Sequence, residues 1–267
     1  MNINKNQNKQ IISIIPINDL PEIKPNDNLG QLIIEKSDFN EVKIINGDIL
    51  VITQKLVSKS ENRTKKLSEV IASPEAQSLS IKINKDPKLI ELILRESSRI
   101  VAMDTKRGLI ITETKHGFIC ANSGIDSSNI LGDDEVSLLP INPDLSAKKI
   151  RETIVCQTDL TKLGIIITDT FGRAWRNGQT NVCIGLAGLH PIKDYRGFTD
   201  DHGSILTSTE IAIADEIASA AELVMGKTNR VGAAILRGYR FDATQTGKSE
   251  NLIRDSKQDL FNQGNFL

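Results

Sequence analysis

The chain has 267 residues, and its 33 Lys and Arg nearly balance its 34 Asp and Glu, which gives a net charge of −1. Such a balance gives no indication of binding to nucleic acid or to a membrane surface. One Trp and two Tyr are too few for base stacking to be the main mode of recognition. The length allows one large domain or two modest ones.

Three cysteines and three histidines are scattered along the chain. Cys120, Cys156 and Cys183 form no CxxC pair, which favours reduced, buried thiols and a cytoplasmic location. The histidines lack the spacing of zinc ligands. Residues 1–10 are rich in Asn, Lys and Gln and predict a disordered N-terminal extension. No apolar run reaches membrane-spanning length.

Hydrophobic periodicity and turn residues predict a mixture of strands and helices without internal repeats. In the first third of the chain we predict a strand at 11–15 that ends at Pro16, a helix at 29–36, a strand at 49–53, and an irregular stretch at 65–86 with a short helical piece near Pro74. In the middle we predict a helix starting at Asp86 and Pro87, a hairpin of strands at 109–114 and 118–121, a connector at 138–145 and a helix at 146–155. The last part has predicted strands at 165–167 and 182–187, a polar loop at 190–203, a helix at 210–225, a strand at 231–236 and a short helix at 252–261.

Residues 164–178 carry the densest set of chemically useful side chains. A run of three isoleucines predicts a buried strand that ends at Asp169 and Thr170. We predict a glycine-punctuated loop after it, with Arg173 and Arg176. A carboxylate and a hydroxyl can bind a metal while guanidinium groups hold phosphate oxygens. An ordinary polar turn after a strand is the alternative.

Polar residues follow three further predicted strands, at 54–59, 122–129 and 237–240. If all four strand ends share one edge, the site contains Asp126 and Asp169 with several lysines and arginines. Paired carboxylates suit Mg²⁺ or Mn²⁺, which take oxygen ligands. The sequence has no Walker A motif and no GxGxxG after a strand, so we predict neither a P-loop nor a Rossmann domain.

Each of these residues also has an ordinary structural interpretation. Asp126 lies in a sequence typical of a turn or a helix cap. Lys59 by itself is typical of a solvated surface lysine. Arg173 and Arg176 could pair with surface carboxylates and contribute little. From the residues alone, the sequence indicates a candidate metal and phosphate site and no specific reaction.

Together, several segments resemble the coenzyme F420-0:L-glutamate ligase family, the γ-glutamyl ligases of the deazaflavin coenzyme. They occur in family order over about residues 11–240. The matching segments are IPINDLPEIK (15–24), GDILVITQKLVSK (47–59), ANSGIDSSN (121–129), ITDTFGRAWRNGQ (167–179), ADEIA (214–218) with MGK (225–227), and AILRG (234–238).

The resemblance implies an α+β fold with mixed sheets and helices, distinct from Rossmann and P-loop folds. It implies two intimately joined lobes, the second inserted in the first, and a homodimer. We therefore expect a single ligase domain at 11–250, followed by a C-terminal tail at 251–267. No nucleic acid or membrane partner is expected.

The activity implied by the resemblance is GTP-dependent addition of L-glutamate to coenzyme F420-0. The F420-0 carboxylate attacks the γ-phosphate of GTP, and the amine of glutamate then takes the acyl group from the acyl phosphate, releasing GDP and phosphate. The implied ions are two divalent cations, Mg²⁺ or Mn²⁺, with K⁺ as a further candidate.

Site residues carry over position by position from the same resemblance. Asp126 and Asp169 correspond to ligands of one metal and Thr170 to a ligand of the second, and Thr228 is a further metal-site candidate. Asp126, Asp169 and Thr170 are the catalytic candidates. From chemistry alone we assign Arg173 and Arg176 to the acidic substrates. The nucleotide-binding candidates are Leu20, Pro21, Glu22, Ile23, Gln54, Lys55, Lys59, Asn129, Gly226, Lys227, Thr228, Asn229, Arg230, Val231 and Gly232.

Two other functions are compatible with the sequence. One is a related nucleotide-dependent amide ligase that acts on another carboxylated cofactor. The other is a nucleotide-binding regulator without turnover. The intact pair of aspartates at 126 and 169, together with Thr170, favours an enzyme over a regulator.

Overall fold

The computed structural model describes residues 10–126 and 134–259. Residues 1–9 of the extension predicted at 1–10, and residues 260–267 of the predicted tail, therefore lie outside the described residues. Short 3-10 turns lie at Leu67–Glu69, Asn122–Gly124 and Ser249–Leu252. The described elements are β1 (Ser13–Ile17), α1 (Leu29–Phe39), β2 (Ile49–Thr53), α2 (Gln54–Ser60), β3 (Thr64–Lys66), α3 (Pro74–Ile83), α4 (Pro87–Glu96), β4 (Ser97–Asp104), β5 (Leu109–Thr114), β6 (Ile119–Ala121), β7 (Glu135–Ser137), α5 (Pro143–Gln157), β8 (Gly164–Arg173), β9 (Arg176–Ala187), β10 (Lys193–Asp194), β11 (Glu210–Ile211), α6 (Ile213–Met225) and β12 (Ala233–Arg237).

A five-stranded mixed sheet with the order β1-β12-β2-β8-β9 forms the centre of the fold. Among its pairings, β2 with β8 is parallel, whereas β1 with β12, β12 with β2, and β8 with β9 are antiparallel. Helices and mixed sheets make the protein α+β, as predicted. A doubly wound Rossmann sheet would instead be built mainly from parallel pairs.

Both faces of this sheet are buried. Because side chains alternate along each strand, successive residues face opposite cores. Leu50, Ile52 and Ile167 face a core that also includes residues of α1 and α5. Val51 and Ile166 face a second core formed with α6. Helices therefore cover the sheet on both sides, which explains why β2 is a continuous apolar run rather than an alternating one.

The segment between α2 and α5 has its own hydrophobic core. Residues of α3, α4, β5 and β7 form this cluster, including Leu79, Ile90 and Ile110. A three-stranded sheet of order β4-β5-β6 and the β3-β7 pair belong to the same segment. This arrangement inserts a compact unit between two elements of the central sheet. The exact extent of the predicted lobes stays a prediction.

Most predicted elements are present, with shifted ends. The strand at 49–53 and the helix start at Asp86 and Pro87 are confirmed, because Asp86 caps the helix by accepting a hydrogen bond from the Lys88 amide. The first strand extends through Pro16, which is tolerated because β1 is an edge strand. Within the described residues, no helix combines the length and apolar character needed to cross a membrane.

Two predicted helices are present with other bounds, and a third prediction was wrong. The helical piece predicted near Pro74 within the stretch at 65–86 is a full helix, α3, whose start is capped by Ser73. The predicted helix at 210–225 starts at Ile213, because Glu210–Ile211 pairs with β10 as a strand. Residues 253–259 are not helical, so the short helix reduces to a 3-10 turn ending at Leu252.

Two further differences concern strands. β4 was not predicted, because this edge strand is largely exposed and irregular in register. The predicted arginine loop is instead the end of a long hairpin, in which β8 and β9 stay paired as far as Arg173 and Arg176. Trp175 has a φ of +63° at the turn, so the chain reverses there rather than at the glycines.

Arg237 lies at the opposite edge of the sheet from the other polar strand ends. β12 runs antiparallel to β2, and Leu236 pairs with Ile49 at the beginning of β2. The Arg237 guanidinium donates two hydrogen bonds to the buried Asp48 carboxylate, at 2.8 and 2.7 Å. The idea that 237–240 joins the polar edge was therefore wrong, and Arg237 anchors the turn before β2.

We predict that Asp48→Asn destabilises the protein by about 3 kcal/mol, since a buried ion pair loses its negative partner. For a chain of this size the melting temperature should fall by roughly 6–12 °C. Thermal unfolding followed by circular dichroism measures this. The exposed Asp38→Asn is the matched control; equal melting temperatures for the two variants would contradict the anchoring role.

Candidate active site

The parallel pairing of β2 and β8 brings the ends of both strands to one edge of the sheet. Thr53 pairs with Thr168, so α2 and the second half of β8 both begin there. The antiparallel β12 starts at the same edge, and the Thr53 amide donates to the Gly232 carbonyl at 2.9 Å. β1 also ends at this edge, because Ile17 pairs with Ala233.

Asp169 is the most perturbed carboxyl group at this edge. Its pKa is raised to about 7, mainly by burial and also by the nearby charge of Asp126, whereas the Thr170 amide, Lys55 and Lys227 act in the opposite direction. The pKa of the neighbouring Cys120 thiol is raised to about 12, by burial and by the charge of Asp169. Asp169 thus lies in a poorly hydrated environment beside a second acid.

Two lysines lie next to these carboxylates. Lys55, from the first turn of α2, forms an ion pair with Asp126 at 2.8 Å. Lys227, just after α6, donates to the Thr170 hydroxyl at 2.5 Å. Two ammonium groups therefore lie near the two acids, an arrangement that partly offsets the repulsion between Asp126 and Asp169.

A backbone turn with an unusual conformation leads to Asp126. Asn122, Ser123 and Gly124 have φ values of +54°, +55° and +70°, a left-handed conformation that costs free energy at the two non-glycine residues. The buried Ser123 hydroxyl offsets part of that cost by bonding Thr112 at 2.7 Å and the Ile93 carbonyl at 3.0 Å. Asp126 then pairs with Ser137 through the backbone.

The predicted nucleotide residues that the structure describes come from three segments at this edge. Glu22 forms an ion pair with Lys59 at 2.5 Å, which joins 20–23 to α2. Gln54 is 1% exposed, and its amide nitrogen has no hydrogen-bond partner among the described residues. The loop at 226–232 links α6 to β12. Asn129 lies outside the described residues.

Arg173 and Arg176 lie away from the carboxylates, at the far end of the hairpin. Arg173 lies four positions after Asp169 along β8, which corresponds to roughly 13 Å at the usual rise. The Arg173 guanidinium donates to the Asn177 carbonyl at 2.8 Å, and Arg176 is exposed. Their assignment to the acidic substrates stays a prediction.

The donors at this edge fit a hard divalent cation that is shared with phosphate. Two carboxylates and the hydroxyl of Thr170 are oxygen ligands, and burial beside Asp126 makes the negative form of Asp169 costly without a nearby cation. Within the described ranges, no group of three or more His, Cys, Asp or Glu side chains could hold a metal. Mg²⁺ is commonly held by one or two carboxylates together with substrate phosphates and water, and this edge has the two carboxylates of Asp126 and Asp169.

Sequence reasoning did not assign Asn181 and Glu222 to this site. Asn181 is 2% exposed; its side chain accepts from the Thr170 hydroxyl at 2.7 Å and donates to Glu222 at 2.9 Å. Glu222 also pairs with Lys227 at 2.9 Å. The sequence offered only a weak signal, a polar residue next to the apolar part of β9 and an acid on the last turn of α6.

Comparison with known proteins points to one family. A model of the family described as F420-0:Gamma-glutamyl ligase matches residues 18–238. The chain is 41% identical over 252 residues to the Coenzyme F420:L-glutamate ligase of Methanothermobacter thermautotrophicus, covering 94% of this chain and 98% of that protein. It is 40% identical over 256 residues to the protein of the same name from Methanocaldococcus jannaschii, covering 95% and 98% of the two chains.

We predict that Asp169→Asn stabilises the metal-free protein at pH 8 but not at pH 4. A carboxyl whose pKa is raised from 3.8 to about 7 binds more protons in the folded state between these values. Its contribution to stability is therefore lost as the pH rises through that window. Asparagine cannot ionise and avoids this loss.

Melting temperatures in EDTA from pH 4 to pH 8 measure the effect, with the exposed Asp159→Asn as the matched control. The difference between variant and parent should grow with pH for Asp169→Asn only. A difference that is independent of pH would contradict the buried, perturbed state of Asp169.

Proposed function

The chain belongs to the F420-0:gamma-glutamyl ligase family, and we propose that it ligates L-glutamate to coenzyme F420-0 with GTP, through an acyl phosphate. Relatives with about 40% identity over nearly the whole chain carry the name Coenzyme F420:L-glutamate ligase. The product is F420-1, and further γ-glutamyl additions would lengthen it.

The observation that carries this proposal is the pair of acids beside two lysines at one edge of the sheet. Forming an amide from a carboxylate requires an activated acyl group, and phosphoryl transfer from a nucleotide provides one. Catalysis of such a transfer depends mainly on positioning and on offsetting negative charge. Asp126 and Asp169 with Lys55 and Lys227 have the charges and the proximity for that task.

The ligands proposed for the divalent ions are Asp126, Asp169 and Thr170, together with Thr228. When bound, Mg²⁺ or Mn²⁺ would neutralise phosphate oxygens and orient the transferring group. Asp169 would then be held in its ionised form, because a nearby cation lowers the pKa that burial has raised. Thr228 lies in the exposed part of the loop at 226–232, close in sequence to Lys227.

The proposed role of α2 and the neighbouring segments is to bind the nucleotide. Lys59 lies on the last turn of α2, where Glu22 holds it, and Lys55 lies on the first turn. The buried amide nitrogen of Gln54 is a donor without a protein partner among the described residues, which supports a polar ligand nearby, because such groups are rarely left unpaired. Homodimer formation belongs to the same proposal.

The direct test is incubation of the purified protein with F420-0, L-glutamate, GTP and Mg²⁺ or Mn²⁺, followed by mass spectrometry. We expect glutamylated coenzyme that is absent when nucleotide or metal is omitted. Formation of GDP without glutamylated coenzyme would favour a different carboxylated acceptor. Binding of GTP without any turnover would favour the regulator. Light scattering on the same sample measures the oligomeric state.

We predict that Asp169→Asn lowers kcat by about 100-fold or more, because even residues that only support metal ligands cost roughly 10–100-fold when mutated. The fold should be retained, since the two side chains have the same shape. Asp159→Asn is the control for loss of one negative charge and should keep normal activity. Near-normal turnover by Asp169→Asn would remove Asp169 from the site.

A further inference from the structure

Four side chains at the candidate site form a closed ring of three hydrogen bonds and one ion pair. Thr170 donates its hydroxyl proton to the Asn181 side-chain oxygen at 2.7 Å. The Asn181 side-chain nitrogen donates to Glu222 Oε2 at 2.9 Å. Lys227 forms an ion pair with Glu222 Oε1 at 2.9 Å and donates to the Thr170 hydroxyl at 2.5 Å, which closes the ring. Lys227 also donates a longer hydrogen bond to the Asn181 side-chain oxygen, at 3.4 Å. We call these four residues the Thr170 ring.

The ring determines which way the Thr170 hydroxyl points. Its proton is committed to Asn181, and one lone pair accepts from Lys227. A hydroxyl has two lone pairs, so one acceptor position remains while the proton is directed away. Without Asn181, the hydroxyl could rotate and place its proton where a cation would need a lone pair.

Glu222 completes the ring, because it accepts on both oxygens. One oxygen accepts from the Asn181 side-chain amide and orients it. Asn181 is 2% exposed, and its backbone carbonyl accepts a hydrogen bond at 2.8 Å from the hydroxyl of Ser219 on α6. The other oxygen forms the ion pair with the Lys227 ammonium, whose side chain is 59% exposed and which also donates to the Thr170 hydroxyl. A single carboxylate thus links the buried amide to the exposed lysine.

Resting on the proposed function, we propose that Glu222 is a positioning residue that fixes the direction of the Thr170 hydroxyl and the place of the Lys227 ammonium. Glu222 acts through Asn181 and Lys227, without contact to the substrates. Its removal should weaken the use of metal and GTP and leave the binding of L-glutamate unchanged.

Glu222→Gln breaks one contact of the ring while the side chain keeps nearly the same shape. An amide has one acceptor oxygen, so the side chain can accept from Lys227 or from Asn181, and its own NH₂ then faces another donor. Glu216→Gln is the matched control, because it removes the same charge from an exposed position on α6. We expect Glu222→Gln to melt about 2–6 °C below this control, since an unsatisfied buried group is costly.

A double substitution should restore the ring with the donor and the acceptor exchanged between positions 181 and 222. In Asn181→Asp alone, the oxygen that replaces the Asn181 side-chain nitrogen faces Glu222 Oε2, and the hydrogen bond between these two atoms is lost; Lys227 still contacts both side chains and offsets only part of their repulsion. In the double variant Asn181→Asp with Glu222→Gln, the new carboxylate accepts from Thr170 and from the new amide, whose oxygen accepts from Lys227. The melting temperature should therefore recover toward that of the parent, although each single substitution lowers it.

Electron paramagnetic resonance can measure the binding of Mn²⁺ in the presence of GTP. This measurement tests the positioning role of Glu222 without requiring turnover. Glu222→Gln should bind roughly 10-fold more weakly than Glu216→Gln, and the double variant should recover most of that loss. In the glutamylation assay, kcat should fall and the KM for GTP should rise, whereas the KM for L-glutamate stays unchanged.

The outcomes separate this inference from the proposed function. If the parent protein makes no glutamylated coenzyme, the proposed function is wrong. The melting temperature of the double variant still tests, independently of activity, whether the Thr170 ring exists. A double variant that melts at the temperature expected from adding the two losses overturns the ring. Equal Mn²⁺ and GTP binding by Glu222→Gln and Glu216→Gln overturns the positioning role.

Discussion

The parallel pairing of β2 with β8 is the constraint on which the candidate site depends. It places Thr53 beside Thr168, so that the chain leaving β2 and the continuing β8 deliver their polar residues to the same edge. Because β12 is antiparallel to β2, the loop between α6 and β12 arrives at that edge as well, and Arg237 is carried to the opposite one. One parallel pair in an otherwise antiparallel sheet therefore separates the site from the Arg237–Asp48 anchor.

Charge at this edge is arranged at a cost to stability. Burial of Asp169 near the charge of Asp126 disfavours ionisation of Asp169, which is why its pKa rises to about 7. Lys55 offsets part of this repulsion through its contact with Asp126 at 2.8 Å. A protein selected for stability alone would have an apolar residue or a single acid at this place. Perturbed acids of this kind concentrate at functional sites, where a ligand supplies the missing positive charge.

The sequence predicted the elements of the site better than their connections. β2 and the first half of β8 were recognisable because strands buried on both faces are continuous apolar runs. The direction of β12 could not be read from its residues, so Arg237 was wrongly placed with the other polar strand ends. The second half of β8 was taken for a loop, because its Asp, Thr, Gly and Arg are typical of turns; pairing with β9 determines its structure instead. Likewise Asn181 and Glu222 are 41 residues apart, and no local pattern links them.

Asp126 depends on the inserted segment in a way that Asp169 does not. Asp169 belongs to the central sheet, whereas Asp126 follows the left-handed turn at Asn122–Gly124 and is held by backbone pairing with Ser137. Lys55 links the two parts, because it extends from α2, next to the sheet, to the Asp126 carboxylate. The separation of the two acids therefore depends on how the inserted core packs against the sheet, and so does their mutual repulsion. A cation bound between the two acids would bind more tightly when the inserted core is packed against the sheet than when only one acid is within reach. That difference in binding free energy would stabilise the packing.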